Sequence, residues 1–276
     1  MSHLASSVPS VASATAQCAT AKISILEATK TYTAKTGPVH ALERVSADVY
    51  EQEFVCILGP SGCGKTTLLW AMSGLHALTG GEILLDGQPV QGPRPDQVGV
   101  IFQEANLLPW RNLLENIEFP FEIKHQKVPR DLIAALLEQT GLAGFERSFP
   151  RELSGGMQQR ASIVRALAQA PSVLLMDEPF GALDAFTRDE MNLLLLRLWS
   201  ESRQTIVFVT HNISEAIFLA DRVLVLTSRP GRLARVFDIE LPRPRTVEMT
   251  FETEFLELMR EIKGAVESGS RRSVEV

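Results

Sequence analysis

The stretch Gly59-Pro60-Ser61-Gly62-Cys63-Gly64-Lys65-Thr66 fits the pattern G-x-x-x-x-G-K-[ST] and constrains the fold more than any other segment. The apolar run Phe54 to Leu58 precedes it, and a helical pattern opens near Lys65. Glycines at those positions let backbone N–H groups turn inward around phosphate oxygens, and the helix adds the positive end of its dipole. Lys65 then reaches the β- and γ-phosphates of a nucleoside triphosphate, while the Thr66 hydroxyl binds Mg2+. By average composition the pattern arises by chance in roughly one chain in a hundred of this size, so the strand-loop-helix setting matters as much as the letters. The expected nucleotide contacts are Gly59, Pro60, Ser61, Gly62, Cys63, Gly64, Lys65, Thr66 and Thr67.

A second segment carries the complementary chemistry. Val173-Leu174-Leu175-Met176-Asp177-Glu178-Pro179 is an apolar strand that ends in two carboxylates. In open α/β sheets ligands bind at the carboxyl ends of parallel strands. Asp177 is placed to hold Mg2+ through a water, and Glu178 to accept a proton from an attacking water. Taken alone this could be a solvated acidic turn; the phosphate loop gives it a role.

The rest of the chain supplies the frame. Ile23 to Glu27 and Val45 to Val49 alternate as half-exposed antiparallel strands, and Ile83 to Leu85 before Asp86-Gly87 reads as a strand and turn. Val98 to Phe102 is a further strand that stops at Gln103. Strand patterns at 173–176, 205–209 and 222–226 alternate with helical patterns near 155–169, 184–202 and 213–219. Apolar strands alternating with helices predict an α/β fold with a mainly parallel sheet covered on both faces. The expected architecture is a P-loop NTPase core with an antiparallel β subdomain and an inserted helical subdomain. The predicted boundaries are a disordered leader at 1–21, an ATPase domain at 22–234 with the helical insertion at about 104–155, and an extension at 235–276 with a terminal helix near 252–267.

Kinases, GTPases and helicases also carry a phosphate loop and an acidic strand. Leu153-Ser154-Gly155-Gly156-Met157-Gln158-Gln159-Arg160 separates this chain from them, because it resembles the signature of ATP-binding-cassette (ABC) proteins, with Met157 where glutamine is commoner. The other family marks follow in order: Tyr32, Gln103, Gly181-Ala182-Leu183-Asp184 and His211. The resemblance covers about Ile23 to Arg232. It implies that Tyr32 stacks on adenine, with a strand-edge aromatic as the alternative. It implies that Gln103 contacts Mg2+ or water and that His211 bonds the γ-phosphate and orients Glu178. Ser154, Gly155 and Gly156 would form a second anion site at a helix N-terminus, and Asp184 would sit at a seam between two copies. Two copies would then close head to tail around two ATP molecules.

Composition removes other classes. The 276 residues carry a formal charge of -6, which does not suit a nucleic-acid footprint. The three cysteines, Cys18, Cys56 and Cys63, form no disulfide framework. The leucines at 193–196 run into Arg197, well short of the roughly 18 apolar residues of a membrane span, and the leader lacks the apolar block of a signal peptide. A membrane role therefore needs other chains. The resemblance implies the peripheral ATPase of an importer at the cytoplasmic face of the inner membrane. Its partners would be a separate permease and, indirectly, a solute-binding protein. The ATPase of an exporter and a soluble non-transport cassette are the competing readings; a phosphotransferase conflicts with the Ser154 signature. Leu108-Pro109-Trp110, Glu215 to Arg222 and Ser228 to Arg232 are similar to the nitrate, sulfonate and taurine importer group. The apolar segment Glu104 to Trp110 would line the groove that receives the permease. Too few residues follow Pro230 for the large regulatory barrel of sugar-importer cassettes.

Overall fold

In the computed structural model, which describes residues 21–35 and 37–271, two sheets enclose one helix and the larger sheet carries the remaining helices on its other face. The larger sheet has the order β10-β9-β3-β8-β7-β6, built from β3 (Phe54–Leu58), β6 (Val98–Ile101), β7 (Val173–Asp177), β8 (Thr205–Thr210), β9 (Arg222–Leu226) and β10 (Leu233–Asp238). All neighbours are parallel except the edge strand β10, which runs antiparallel to β9. Alternation explains why the central strands read as continuous apolar runs. Phe54, Cys56 and Leu58 face one core, while Val55 and Ile57 face the other.

The second sheet, of order β2-β1-β4-β5, contains β1 (Ala21–Ala34), β2 (Gly37–Tyr50), β4 (Gly80–Leu85) and the short β5 (Gln88–Pro89). Between the sheets lies α1 (Lys65–Met72), whose Leu68, Leu69, Ala71 and Met72 pack against Ile23, Ile25, Val55 and Ile57. α1 thus buries apolar side chains in a two-sided core and keeps its N-terminus at the open end of the sheet.

The opposite face holds α4 (Gly155–Leu167), α5 (Ala185–Ser202), α6 (Ile213–Leu219) and α7 (Thr253–Arg271). The helical insertion contributes α2 (Leu113–Ile123), α3 (Arg130–Gln139) and a short 3-10 turn at Pro150–Glu152. Asn112 and Glu115 form a capping box that starts α2. Pro120 sits inside this helix, which is why proline punctuation hid it in the sequence.

Three expectations need correction. The antiparallel strands are longer than 23–27 and 45–49, because register irregularities between Ile25 and Thr31 break the alternation that marks a strand. β10 crosses the boundary expected at 234; Leu233–Asp238 belong to the large sheet. The terminal helix runs to Arg271 rather than to 267. The leader lies outside the described residues except Ala21, which opens β1, and Cys18 lies outside them too.

The C-terminal segment is fastened to the core by two arginines. Arg245 is buried and donates to the carbonyls of Ile217, Phe218 and Ala220, the orphan acceptors at the end of α6. Burial pushes its guanidinium pKa down to about 10. Arg243 pairs with Asp221 at 2.7 Å, and Asp221 accepts from the Phe54 amide at the start of β3. Among the described residues no helix is long and apolar enough to cross a membrane.

Candidate active site

Parallel strands bring their carboxyl ends to one edge. There the phosphate loop leaves β3, Gln103 follows β6, Asp177 and Glu178 end β7, and His211 follows β8. Gly64 caps α1 in a left-handed conformation (φ 103), and a Cβ there would lie 2.7 Å from the Ala41 carbonyl. The loop can only close with glycine at this position.

Lys65 is 4% exposed, and its Nζ donates to the Gly59 carbonyl at 2.9 Å and the Pro60 carbonyl at 3.2 Å. Glu178 Oε1 lies 3.6 Å from the same Nζ. The ammonium is thus curled onto its own loop beside a carboxylate. Next to it, Thr66 Oγ1 donates to Asp177 Oδ1 at 2.9 Å. Burial raises the Asp177 carboxyl above its ordinary pKa, against the opposing pull of the Thr66 bond and Lys65. A paired hydroxyl and buried carboxylate are hard oxygen donors, and a cation there would offset the desolvation of the charge. The pair fits Mg2+, which keeps waters and phosphate oxygens and asks for few protein ligands.

Glu178 stands at φ 42, a left-handed conformation that is uncommon for a non-glycine residue. Its amide donates to the Val209 carbonyl at 2.9 Å, and its carbonyl accepts from the Gly181 amide at 3.0 Å. Those bonds hold the turn, and the side chain meets His211, whose Nδ1 lies 2.8 Å from Glu178 Oε2. A ring that sequence reading missed steadies His211: Asn212 N donates to Thr210 Oγ1, Thr210 Oγ1 donates to the buried Glu215, and Glu215 N donates to Asn212 Oδ1. Burial raises the Glu215 carboxyl pKa. Only the resemblance pointed to His211; the Asn212 cap of α6 was the local signal for its support.

The remaining expected residues divide into two groups. Tyr32 reaches the rim of the same cleft, a cavity of about 250 Å3 lined also by Ser61, Gly62, Gly64, Lys65, Thr66, Thr67 and Glu178. Its hydroxyl contacts His76 Nδ1 at 3.1 Å, and Lys30 Nζ sits 5.0 Å from its ring centroid. The Gln103 amide is exposed beside Gly181. Ser154, Gly155, Gly156 and Asp184 do not line this cleft. Ser154 caps α4 by accepting from the Met157 amide at 3.3 Å. Asp184 caps α5 by accepting from the Thr187 amide at 3.0 Å and the Thr187 hydroxyl at 2.7 Å, and these bonds lower its pKa. The tips adjoin, since a Cβ on Gly156 would lie 3.0 Å from Thr187 Cγ2. Both tips are exposed and form a second helix-end surface on the same chain.

Two links join α4 to the segments flanking Gln103. Gln159 Nε2 donates to the Phe102 carbonyl at 3.4 Å, and Arg165 donates to the carbonyls of Ala105 and Asn106 at 2.8 and 2.9 Å. Both side chains belong to α4, so this helix is bonded on both sides of Gln103.

Cys63 lies by a helix end whose dipole would favour a thiolate, yet it is 1% exposed and burial pushes its pKa up, although Lys65 works in the other direction. Less thiolate at any given pH means slow chemistry. We expect a maleimide reagent at pH 8 to modify native Cys63 at least about tenfold more slowly than in the urea-unfolded chain, with little further protection by ATP. Equal rates in the two states, measured by mass spectrometry, would show an open thiol.

The profile for ABC transporters matches residues 42–181. The chain belongs to the ABC transporter family. An uncharacterised ABC transporter ATP-binding protein of Methanocaldococcus jannaschii is 45% identical over 245 residues, covering 87% of this chain and 90% of the relative. An aliphatic sulfonates import ATP-binding protein of Bacillus cereus is 44% identical over 224 residues, covering 81% and 88%. A dimeric ATP-binding cassette, solved in a post-hydrolysis state with ADP and Pi, superposes with a TM-score of 0.71 at 33% identity over 80% of this chain and all of that one. The cassette is an ATPase.

Proposed function

We propose that this chain is the ATP-hydrolysing subunit of an importer, which works as a head-to-tail pair on the cytoplasmic face of a permease. The observation that carries the hydrolytic part is Glu178 between His211 at 2.8 Å and Lys65 at 3.6 Å. In the proposed cycle, ATP lies in the phosphate loop with Lys65 on the β- and γ-phosphates and Tyr32 on adenine. Thr66 and Asp177 would hold Mg2+, which supplies charge neutralisation at the phosphates, and Gln103 would contact that ion or the water. Glu178 takes the proton of the attacking water, and His211 orients it and bonds the γ-phosphate. The N-terminal amides of the partner's α4, headed by Ser154 and Gly156, receive the same γ-phosphate. Closure follows because one phosphate group binds both chains, and hydrolysis removes that link.

The solute side rests on likeness. The Bacillus cereus relative, an aliphatic sulfonates import protein, supports a sulfonate as the solute, and the resemblance of Ser228 to Arg232 to the nitrate, sulfonate and taurine importer group agrees with a small anion. Purifying the tagged chain from its native membranes tests the assignment: an integral-membrane permease should co-purify, and RNA or DNA in its place would overturn it. Deleting the gene should then abolish growth on alkanesulfonates as sole sulfur source.

The permease contact has a concrete candidate. Buried Asn116 accepts from the Leu108 amide at 2.7 Å and donates to the carbonyls of Leu108, Arg111 and Asn112. That network fixes the turn and turns Trp110 outward, 71% exposed. An exposed aromatic on a rigid turn suits a partner pocket. We expect Trp110→Glu to lower solute uptake by about tenfold or more while basal ATPase stays within twofold. Equal loss of uptake and ATPase in proteoliposomes would count against this contact.

A further inference from the structure

The cleft holds a second cation that no nucleotide-binding motif of the sequence announces. Arg229 stands at the tip between β9 and β10 and lines the same cavity as Lys65 and Glu178. Its Nε donates to the Gly62 carbonyl at 3.1 Å. A Cβ on Gly62, which has φ 75, would lie 3.1 Å from an Arg229 terminal nitrogen. The guanidinium is therefore laid directly over the outer turn of the phosphate loop.

This position is built into the backbone. Gly231 donates to the Ala41 carbonyl at 3.0 Å, and its own carbonyl accepts from the Glu43 amide at 2.9 Å. A Cβ at Gly231 would lie 2.1 Å from the Cys63 carbonyl, so only glycine lets the tip come this close. Thr227 closes the turn, with its amide donating to the Arg232 carbonyl at 2.9 Å and its hydroxyl to the Pro230 carbonyl at 3.0 Å. The tip is pinned to β2 on one side and to the phosphate loop on the other.

Charge sets Arg229 apart from its neighbours. Arg232 is neutralised by two 2.8 Å bonds to Glu43, and Arg235 faces Glu261 at 3.6 Å. Among the described residues Arg229 has no carboxylate within 4.0 Å. Lys65 is shared with Glu178, so it alone leaves a cleft that must take a polyanion close to neutral. A guanidinium tethered by its Nε keeps terminal N–H donors for an anion, in a planar geometry that suits phosphate.

We propose that Arg229 is a nucleotide-binding residue, contacting the phosphate chain of bound ATP from the outer side of the phosphate loop. The inference rests on reading this cleft as the nucleotide site. Arg229 adds charge and direction to binding without touching the proton transfer at Glu178. Affinity for phosphate-rich nucleotides should carry its signature, and kcat should not.

Calorimetric titration of the full chain with ATP, ADP and AMP tests this, using Arg229→Gln and Arg229→Lys. Arg229→Gln should weaken ATP binding about tenfold and AMP binding less than twofold, with kcat at saturating ATP within twofold of the parent. Arg229→Lys should recover part of the loss, and added salt should narrow the gap between parent and Arg229→Gln. The melting temperature of the nucleotide-free protein should not change, since Arg229 is exposed. Unchanged ATP affinity would overturn the proposal. Equal weakening of ATP and AMP would overturn it too, because that marks a distorted loop. A parent protein that binds no ATP would instead refute the nucleotide reading of the cleft.

Discussion

Glu178→Gln should turn this ATPase into a stable ATP-bound dimer with turnover at least about 100-fold below the parent, the usual scale of a lost general base. The substitution keeps the size of the side chain and its bond to His211, and removes only the capacity to take a proton. Closure of the pair depends on the γ-phosphate, which Glu178→Gln leaves intact. Association and chemistry therefore separate in this one variant. Light scattering with ATP and Mg2+ should give twice the monomer mass, and phosphate release should be slow. A monomeric, fully active Glu178→Gln protein would contradict both the base and the pairing. The left-handed backbone at Glu178 (φ 42) agrees with such a role, because strained residues persist where the surroundings over-determine them and gather at functional sites.

The second large effect is expected at the other helix tip. Ser154→Ala together with Gly156→Asp removes the α4 cap and puts a negative charge where the partner's γ-phosphate would arrive. Turnover should fall by about 100-fold, comparable to losing a preorganised donor at a developing charge. Binding of ATP by the isolated chain should change less than threefold, because the phosphate loop is untouched. Loss of the cap costs about 1 kcal/mol of helix stability, so circular dichroism must show that the variant is folded at the assay temperature. Undiminished turnover in this folded variant would remove the trans contact.

Much of this site was legible from the chain itself, and for physical reasons. A phosphate loop needs glycines at fixed places and a lysine at the start of a helix, so Gly64 and Lys65 carry their geometry in their identities. The apolar strand before Asp177 likewise reports a parallel, doubly covered neighbour. Residues that act by packing left no such trace. Asn116 and Gln159 are buried polar side chains whose partners are backbone atoms, including those of Leu108 and Phe102, and the buried Glu215 carboxylate accepts from the Thr210 hydroxyl. No spacing rule announces a contact that forms only after the fold brings distant segments together. Arg229 is the sharpest case, since 167 positions separate it from the Gly62 carbonyl that it meets. Strand lengths were blurred at β1 because irregular register removes alternation, and β10 was missed because its residues are mostly exposed at a sheet edge. The burial of Cys63 beneath the β9–β10 tip likewise cannot be read from the motif.

The central claim is that each ATP is gripped by the phosphate loop of one chain and the Ser154 helix of the other. Complementation decides it most directly. One chain carries Lys65→Ala, the other carries Ser154→Ala with Gly156→Asp, and both carry Glu178→Gln so that any closed pair stays closed. Native mass spectrometry then counts occluded ATP per dimer. The account predicts that neither chain pairs alone and that the mixture gives a dimer with a single ATP, held between the intact loop of one chain and the intact helix tip of the other. A mixture as inert as its components, or an ATP-bound dimer from either chain alone, would contradict it.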